Sequence, residues 1–269
     1  MIPLTLAFAA ITLALITAFV AALAGVGGGF LYVPILTLIF GLAPADAVGT
    51  SLVVIIFTTL AASVSYLRQG RIFFRSAVLL IIPGMTGAMI GAYATTVVPG
   101  AFIGILFSLI VGFLSIKLLF PSFPLILPVT SGPSYEEICN DCFSRSVRHR
   151  IFYLHYLAWG FVSGLASGMI GIGGGVINVP ALVTAGMPVH FATATSTLVV
   201  LFTSVTGGGI HAFLGHVAVN YAMFFSTGAL IGGYMGAHLA PRAPERILRA
   251  GTGLLFAGVA LAMGISSFL

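Results

Sequence analysis

Two short glycine-rich runs carry the residues best suited to chemistry in this chain. Gly25-Val26-Gly27-Gly28-Gly29 and Gly171-Ile172-Gly173-Gly174-Gly175 are each followed by a short apolar segment with a proline, Pro34 or Pro180. Three consecutive glycines disfavour a regular helix by roughly 1 kcal/mol each. A helix that restarts after them presents N–H groups without intrahelical partners and the positive end of its dipole, and such an end attracts anions. Gly27, Gly28, Gly29, Gly173, Gly174 and Gly175 are therefore the first candidates for lining an anion site. The alternative use of such glycines is close helix packing.

Hydroxyl and amide donors lie near both runs. Thr50-Ser51 and Thr195-Ser196, with Thr197 beside them, are each expected in the first turn of a long apolar segment, and Asn178 lies three residues past the second run. These groups donate to an anion's oxygens without adding charge. Ser and Thr near helix starts also cap helices and bond their own backbone, and an intramembrane Asn also bonds neighbouring helices. Both uses stay open. His211 is the candidate for any proton coupling, because the long apolar segments hold no Asp or Glu and His titrates near neutral pH; a satisfied interfacial His is the alternative and the expected use. It stands opposite Tyr66 when the halves are aligned.

Other chemistries lack their residues. No His-Glu-x-x-His, Gly-x-Ser-Gly or intramembrane aspartate pair is present, so an enzyme is not expected, nor is a cofactor. The absence of an intramembrane carboxylate disfavours a cation substrate. Cys139 and Cys142 form a Cys-x2-Cys pair. It could supply half a zinc site or a redox couple, but two unengaged linker thiols are the expectation.

The elements that must position these groups are membrane helices. The 269 residues are 59% hydrophobic and 6% charged, against about 25% charged in soluble domains. No Asp, Glu, Lys or Arg precedes Asp46, and none lies between Arg75 and Lys117 or between Arg150 and Arg242. A bilayer span needs about 20 apolar residues. Ten apolar segments are expected, near 4–24, 28–40, 47–66, 76–97, 101–120, 152–170, 175–186, 191–213, 220–240 and 247–268. The segments 28–40 and 175–186 are short, as half-helices or re-entrant pieces are, with Pro34 and Pro180 ending or kinking them. Segment 4–24 lacks a preceding positive charge and reads as a retained span rather than a cleaved signal. The net charge of +5 falls in short clusters between apolar segments. That is the distribution of a membrane protein and not of a nucleic-acid surface.

The fold class expected is all-α, polytopic, with two repeats at 1–120 and 151–269 joined by a Pro-rich linker at 121–150. The glycine runs align at an offset of 146, as do Pro34 and Pro180. After one deletion the offset becomes 145, pairing Thr50-Ser51 with Thr195-Ser196, Phe57 with Phe202, Gly70 with Gly215, and Gly87 and Gly91 with Gly232 and Gly236. Arg68, Arg71 and Arg75 fall in a loop whose counterpart, 213–220, has no Lys or Arg. Arg242, Arg246 and Arg249 fall in a loop whose counterpart, 97–101, is uncharged. The positive-inside rule makes both charged loops and the linker cytoplasmic and both termini external, so the repeats are expected to be inverted. Small residues at four-residue spacing (Ala14, Ala18, Ala22; Gly87, Gly91; Gly160, Gly164, Gly168; Gly228, Gly232, Gly236) are expected to bring helix backbones together. Rocking or homodimer formation is the alternative use.

The pattern resembles the sulfite exporter family, TauE/SafE. The resemblance rests on Leu23-Ala24-Gly25-Val26-Gly27-Gly28-Gly29 with Pro34, Gly171–Gly175 with Pro180, and Ala47-Val48-Gly49-Thr50-Ser51-Leu52. It covers essentially the whole chain except the linker. The second copy departs from the last motif and reads Ala192-Thr193-Ala194-Thr195-Ser196. The resemblance implies transport of sulfite, sulfoacetate, sulfolactate, thiosulfate or related sulfonates, usually as export. The expected partners are thus a small anionic substrate and the lipid bilayer. The expected mechanism is alternating access, with a passive anion channel or a carboxylate permease as alternatives.

Overall fold

In a computed structural model of the chain, residues 4–119, 150–185 and 187–242 are described, with 254, 257–262 and 264 from the last segment. The linker 121–149, Cys139, Cys142, Arg246 and Arg249 lie outside the described residues. Every described element is helical. In chain order they are α1 (Leu4–Ala24), α2 (Gly29–Pro34) continuing as a π-turn (Ile35–Ile39), α3 (Pro44–Arg68), α4 (Phe74–Ala94), α5 (Gly100–Leu119), α6 (Arg150–Ile170), α7 (Gly175–Thr184), α8 (Val189–Phe213) and α9 (Val219–Leu239), which ends in a 3-10 turn (Ala240–Arg242).

The polarity of the molecule is that of a protein in lipid. Large apolar side chains point outward, among them Phe8, Ile16, Ile82, Leu109 and Met223, each at least 60% exposed. Polar side chains are gathered inside as well: Thr50, Ser51, Asn178, Thr195, Ser196 and His211 are all fully buried. Four described segments are long and apolar enough to cross a bilayer, at Leu6–Ala24, Pro44–Arg68, Phe74–Ala94 and Val189–Phe213. The all-α polytopic class expected from composition is the observed one.

Both short segments are broken helices. The chain leaves α1, turns through Gly25–Gly28 and restarts at Gly29; it leaves α6, turns through Gly171–Gly174 and restarts at Gly175. Gly28 and Gly174 are the N-cap residues, at φ 95° and 75°. Side-chain-bearing residues rarely adopt this left-handed region, so the break requires glycine there. Pro34 does not end its segment. It marks the change from α to π geometry, and Pro180 lies inside α7. The long helices begin earlier than the apolar runs suggest. Pro44, a pre-organised first helical residue, extends α3 back to 44, so Thr50-Ser51 occupy its second turn rather than its first.

Packing is exchanged between the halves. α4 packs chiefly on α6, and α1 on α9; α3 packs on α9, and α8 on α4; α3 and α8 pack on each other at the centre. The small-residue stripes form these crossings. A Cβ on Gly228, Gly232 or Gly236 would strike the carbonyl oxygens of Ile11, Leu15 or Phe19, and one on Gly87 or Gly91 those of Phe161 or Leu165. Helices approach this closely only where small residues let backbone meet backbone.

The contacts also fix which ends lie together. Phe73, just before α4, meets Thr195 near the start of α8, while Ala218, just before α9, meets Thr50 near the start of α3. α3 and α8 therefore run antiparallel. Gln69 Nε2 donates to the Ala237 carbonyl at 3.1 Å. The arginine-bearing loop 68–75 thus sits beside the end of α9.

Candidate functional site

The two breaks meet. A Cβ on Gly29 would strike the carbonyl of Gly171, and one on Gly175 would lie 2.8 Å from the carbonyl oxygen of Gly25. The restarting helices bond back onto their caps: Leu31 and Tyr32 N–H to the Gly28 carbonyl, Ile177 and Asn178 N–H to that of Gly174. Among the described residues, the N–H groups of Gly27, Gly28 and Gly29, and of Gly173, Gly174 and Gly175, donate no backbone hydrogen bond. All six residues are buried. Unpaired buried donors are costly, and the two clusters lie where the breaks touch.

Two aliphatic side chains cover that region. A Cβ on Gly27 would lie 2.8 Å from Val200 Cγ1 and 3.4 Å from Ile55 Cγ2; one on Gly173 would lie 3.1 Å from Val200 Cγ1 and 3.4 Å from Ile55 Cδ1. Ile55 of α3 and Val200 of α8 are counterparts at the 145 offset. Each touches both breaks. Apolar type gave no chemical signal for them, but the repeat register pairs them.

The hydroxyls brace the breaks. Ser51 Oγ lies 3.1 Å from the Gly171 carbonyl and Ser196 Oγ lies 3.2 Å from the Gly25 carbonyl, each as donor. Ser51 also reaches the Val48 carbonyl, at 2.8 Å. Each serine thus ties its own half's long helix to the other half's break. The threonines act as acceptors across the same boundary: Thr50 Oγ1 takes the Ala218 N–H at 2.9 Å and Thr195 Oγ1 takes the Phe73 N–H at 3.1 Å. Both serve helix starts that have no side-chain cap of their own. Thr197 donates to its own helix, at the Thr193 carbonyl.

Asn178 is different. It is fully buried, and neither its Nδ2 nor its Oδ1 has a hydrogen-bond partner. His211 is an anchor at one end of its ring: Nε2 lies 2.9 Å from the Gly168 carbonyl. Tyr66, its counterpart, donates to the carbonyl of Ala22, the counterpart of Gly168, at 2.7 Å. The other end is unengaged. His211 Nδ1 has no partner, and the His216 ring centroid lies 5.6 Å from that of His211. Among the described residues no group of three His, Cys, Asp or Glu is placed to hold a metal.

Interlocked helices, outward apolar faces and paired backbone breaks define a polytopic membrane protein with a central polar seam. The family model for the sulfite exporter TauE/SafE matches residues 10–263. A probable membrane transporter protein, YunE, of Bacillus subtilis (strain 168) is 30% identical over 240 residues, covering 84% of this chain and 86% of that protein. A probable membrane transporter protein of Xylella fastidiosa (strain Temecula1 / ATCC 700964) is 29% identical over 253 residues, covering 90% and 89%. Sulfite exporter TauE/SafE family protein 3 of Arabidopsis thaliana is 30% identical over 95 residues, 35% of this chain and 20% of that protein. No solved structure matches the chain. The chain belongs to the TauE/SafE sulfite exporter family and is a membrane transporter of that type.

Proposed function

We propose that this protein is a secondary carrier that moves a small sulfur-containing oxyanion, such as sulfite or a short sulfonate, out of the cytoplasm by alternating access. One observation carries the reading: two helix breaks from opposite halves meet in the protein interior with their N–H groups unpaired. Donors of this kind stabilise negative charge. They do so without a fixed Lys or Arg, which would hold an anion too tightly to release it.

The reciprocal packing supports treating residues 1–120 and 151–269 as inverted repeats around the linker 121–150. In such carriers the substrate rests between discontinuous helices while one half rocks against the other. The loop 68–75, the linker and Arg242 would face the cytoplasm, and both termini the outside. The anion would contact the backbone of Gly27–Gly29 and Gly173–Gly175 and the amide of Asn178. Ser51 and Ser196 would hold the breaks in register, Thr50 and Thr195 would hold the adjoining helix starts, and Thr197 would stiffen α8. His211 would carry any proton coupling through its unengaged Nδ1.

The test is flux into proteoliposomes from a panel of labelled sulfite, sulfonates and carboxylates, with and without a pH gradient. Saturable flux with counterflow is expected for sulfur oxyanions. Linear flux without counterflow would make the protein a channel, and preference for carboxylates would reassign the substrate.

A further inference from the structure

The halves differ around their breaks in a consistent direction. Ser167, Asn178 and Ser204 are buried polar side chains whose Oγ, amide and Oγ atoms have no partner. Ser167 and Asn178 adjoin the second break, and Ser204 stands on the helix whose Val200 touches both breaks. The Ser167 carbonyl accepts the Gly171 N–H at 2.9 Å, Asn178 N–H donates to Gly174 at 3.0 Å, and Ser204 lies one turn beyond Val200. The first-half counterparts at the repeat offsets are Ala21, Tyr32 and Thr59. None of these is an orphan. Ala21 is apolar, Thr59 donates to the Ile55 carbonyl at 2.7 Å, and the Tyr32 hydroxyl lies 3.0 Å from Thr58 Oγ1 and 3.5 Å from the Ala14 carbonyl. Tyr32 is fully buried and fills its position with a ring packed edge-on against Phe225. Asn178 has no ring to fill the equivalent place. Thr203, counterpart of Thr58, donates instead to its own helix at the Val200 carbonyl.

We infer that the transporter has one asymmetric substrate pocket, in the second half at Asn178, and that Tyr32 plugs its mirror image. The amide also sets the ligand class. Nδ2 donates and Oδ1 accepts, and both ends are unpaired. A fully deprotonated oxyanion satisfies only the donor. The pocket therefore selects an oxyanion that also carries a hydrogen-bond donor, such as a hydroxyalkanesulfonate. Sites built to bond a ligand hydroxyl reject the analogue lacking it, because the protein's partner is left unpaired. This inference rests on the carrier reading for its oxyanion class.

The experiment uses the purified full chain and a matched pair of probes, 2-hydroxyethanesulfonate and ethanesulfonate, with binding read by calorimetry. The wild type should bind the hydroxylated probe about tenfold more tightly, a loss of one hydrogen bond's worth. Asn178→Leu should abolish that preference and weaken both probes. Asn178→Tyr, which rebuilds the first-half plug, should bind neither, and a melting temperature at or above wild type shows that each variant is folded. Equal binding of the two probes by the wild type, binding of neither, or a preference that survives Asn178→Leu would overturn the inference and leave the amide facing water only. A wild type that carries labelled sulfite yet shows no hydroxyl preference sinks this pocket alone. A wild type that carries no small oxyanion sinks the carrier reading instead.

Discussion

Ser51 donates across the molecule to the carbonyl of Gly171, and its repeat counterpart Ser196 donates back to the carbonyl of Gly25. Two helix breaks that open the backbone of a membrane protein are thus each tied to a long helix of the other half. Removing either hydroxyl leaves a buried carbonyl without its partner, which costs roughly 1–3 kcal/mol. Ser51→Ala and Ser196→Ala should each lower the thermal unfolding midpoint of the purified protein by a similar amount. A full loss from one and none from the other would contradict the reciprocity.

Gly29 and Gly175 stand where the breaks touch backbone to backbone. Gly29→Ala and Gly175→Ala should each reduce flux at least tenfold while the protein still reaches the membrane. Gly209 is the control, since a Cβ there meets nothing within 4 Å. Gly209→Ala replaces a helix-interior glycine, a change that favours the helix by up to about 1 kcal/mol, and should retain flux. Vesicle transport normalised to protein content reads the difference.

His211 Nε2 faces the Gly168 carbonyl, and a glutamine amide can donate to the same acceptor without titrating. His211→Gln should therefore keep folding and basal flux but lose any response to an imposed pH gradient. Retention of the wild-type response would remove His211 from coupling.

Gln69 and Ala237 share a hydrogen bond, so the loop 68–75 and the end of α9 occupy one face. Single cysteines at Arg71 and at Val97, in a background without Cys139 and Cys142, should label from opposite sides of intact cells. Arg71→Cys should be protected from an external impermeant reagent and Val97→Cys should react. Labelling of both from the same side would contradict the assigned topology.

Much of this architecture was legible in the residues because the glycine-rich run and its following proline occur twice. The glycine runs and the prolines locate both broken helices, and the change of offset from 146 to 145 pairs Thr50, Ser51 and Tyr66 with Thr195, Ser196 and His211. What the hydroxyls do was not legible. A serine near a helix start reads the same whether it faces a ligand or a distant carbonyl, and the distance from Ser51 to Gly171 is created only by the crossing of α3 with α6. Thr50 and Thr195 illustrate the same point, since each serves a helix start more than 120 residues away in sequence. Tyr66 and His211 align in register, yet their shared anchoring role appears only when Ala22 and Gly168 supply equivalent carbonyls. Ile55 and Val200 carry no polar signal at all; their importance comes from position between the breaks.

The central claim is that substrate passes between the two breaks, past Ile55 and Val200, from alternate sides. Val200→Cys in the background lacking Cys139 and Cys142 tests it most directly. A charged maleimide applied from either side of oriented membranes, without added sulfite, should modify that cysteine, and 2-hydroxyethanesulfonate should slow the reaction from both sides. A Val200→Cys thiol that stays unreactive from both sides in a variant that still transports would place the path elsewhere.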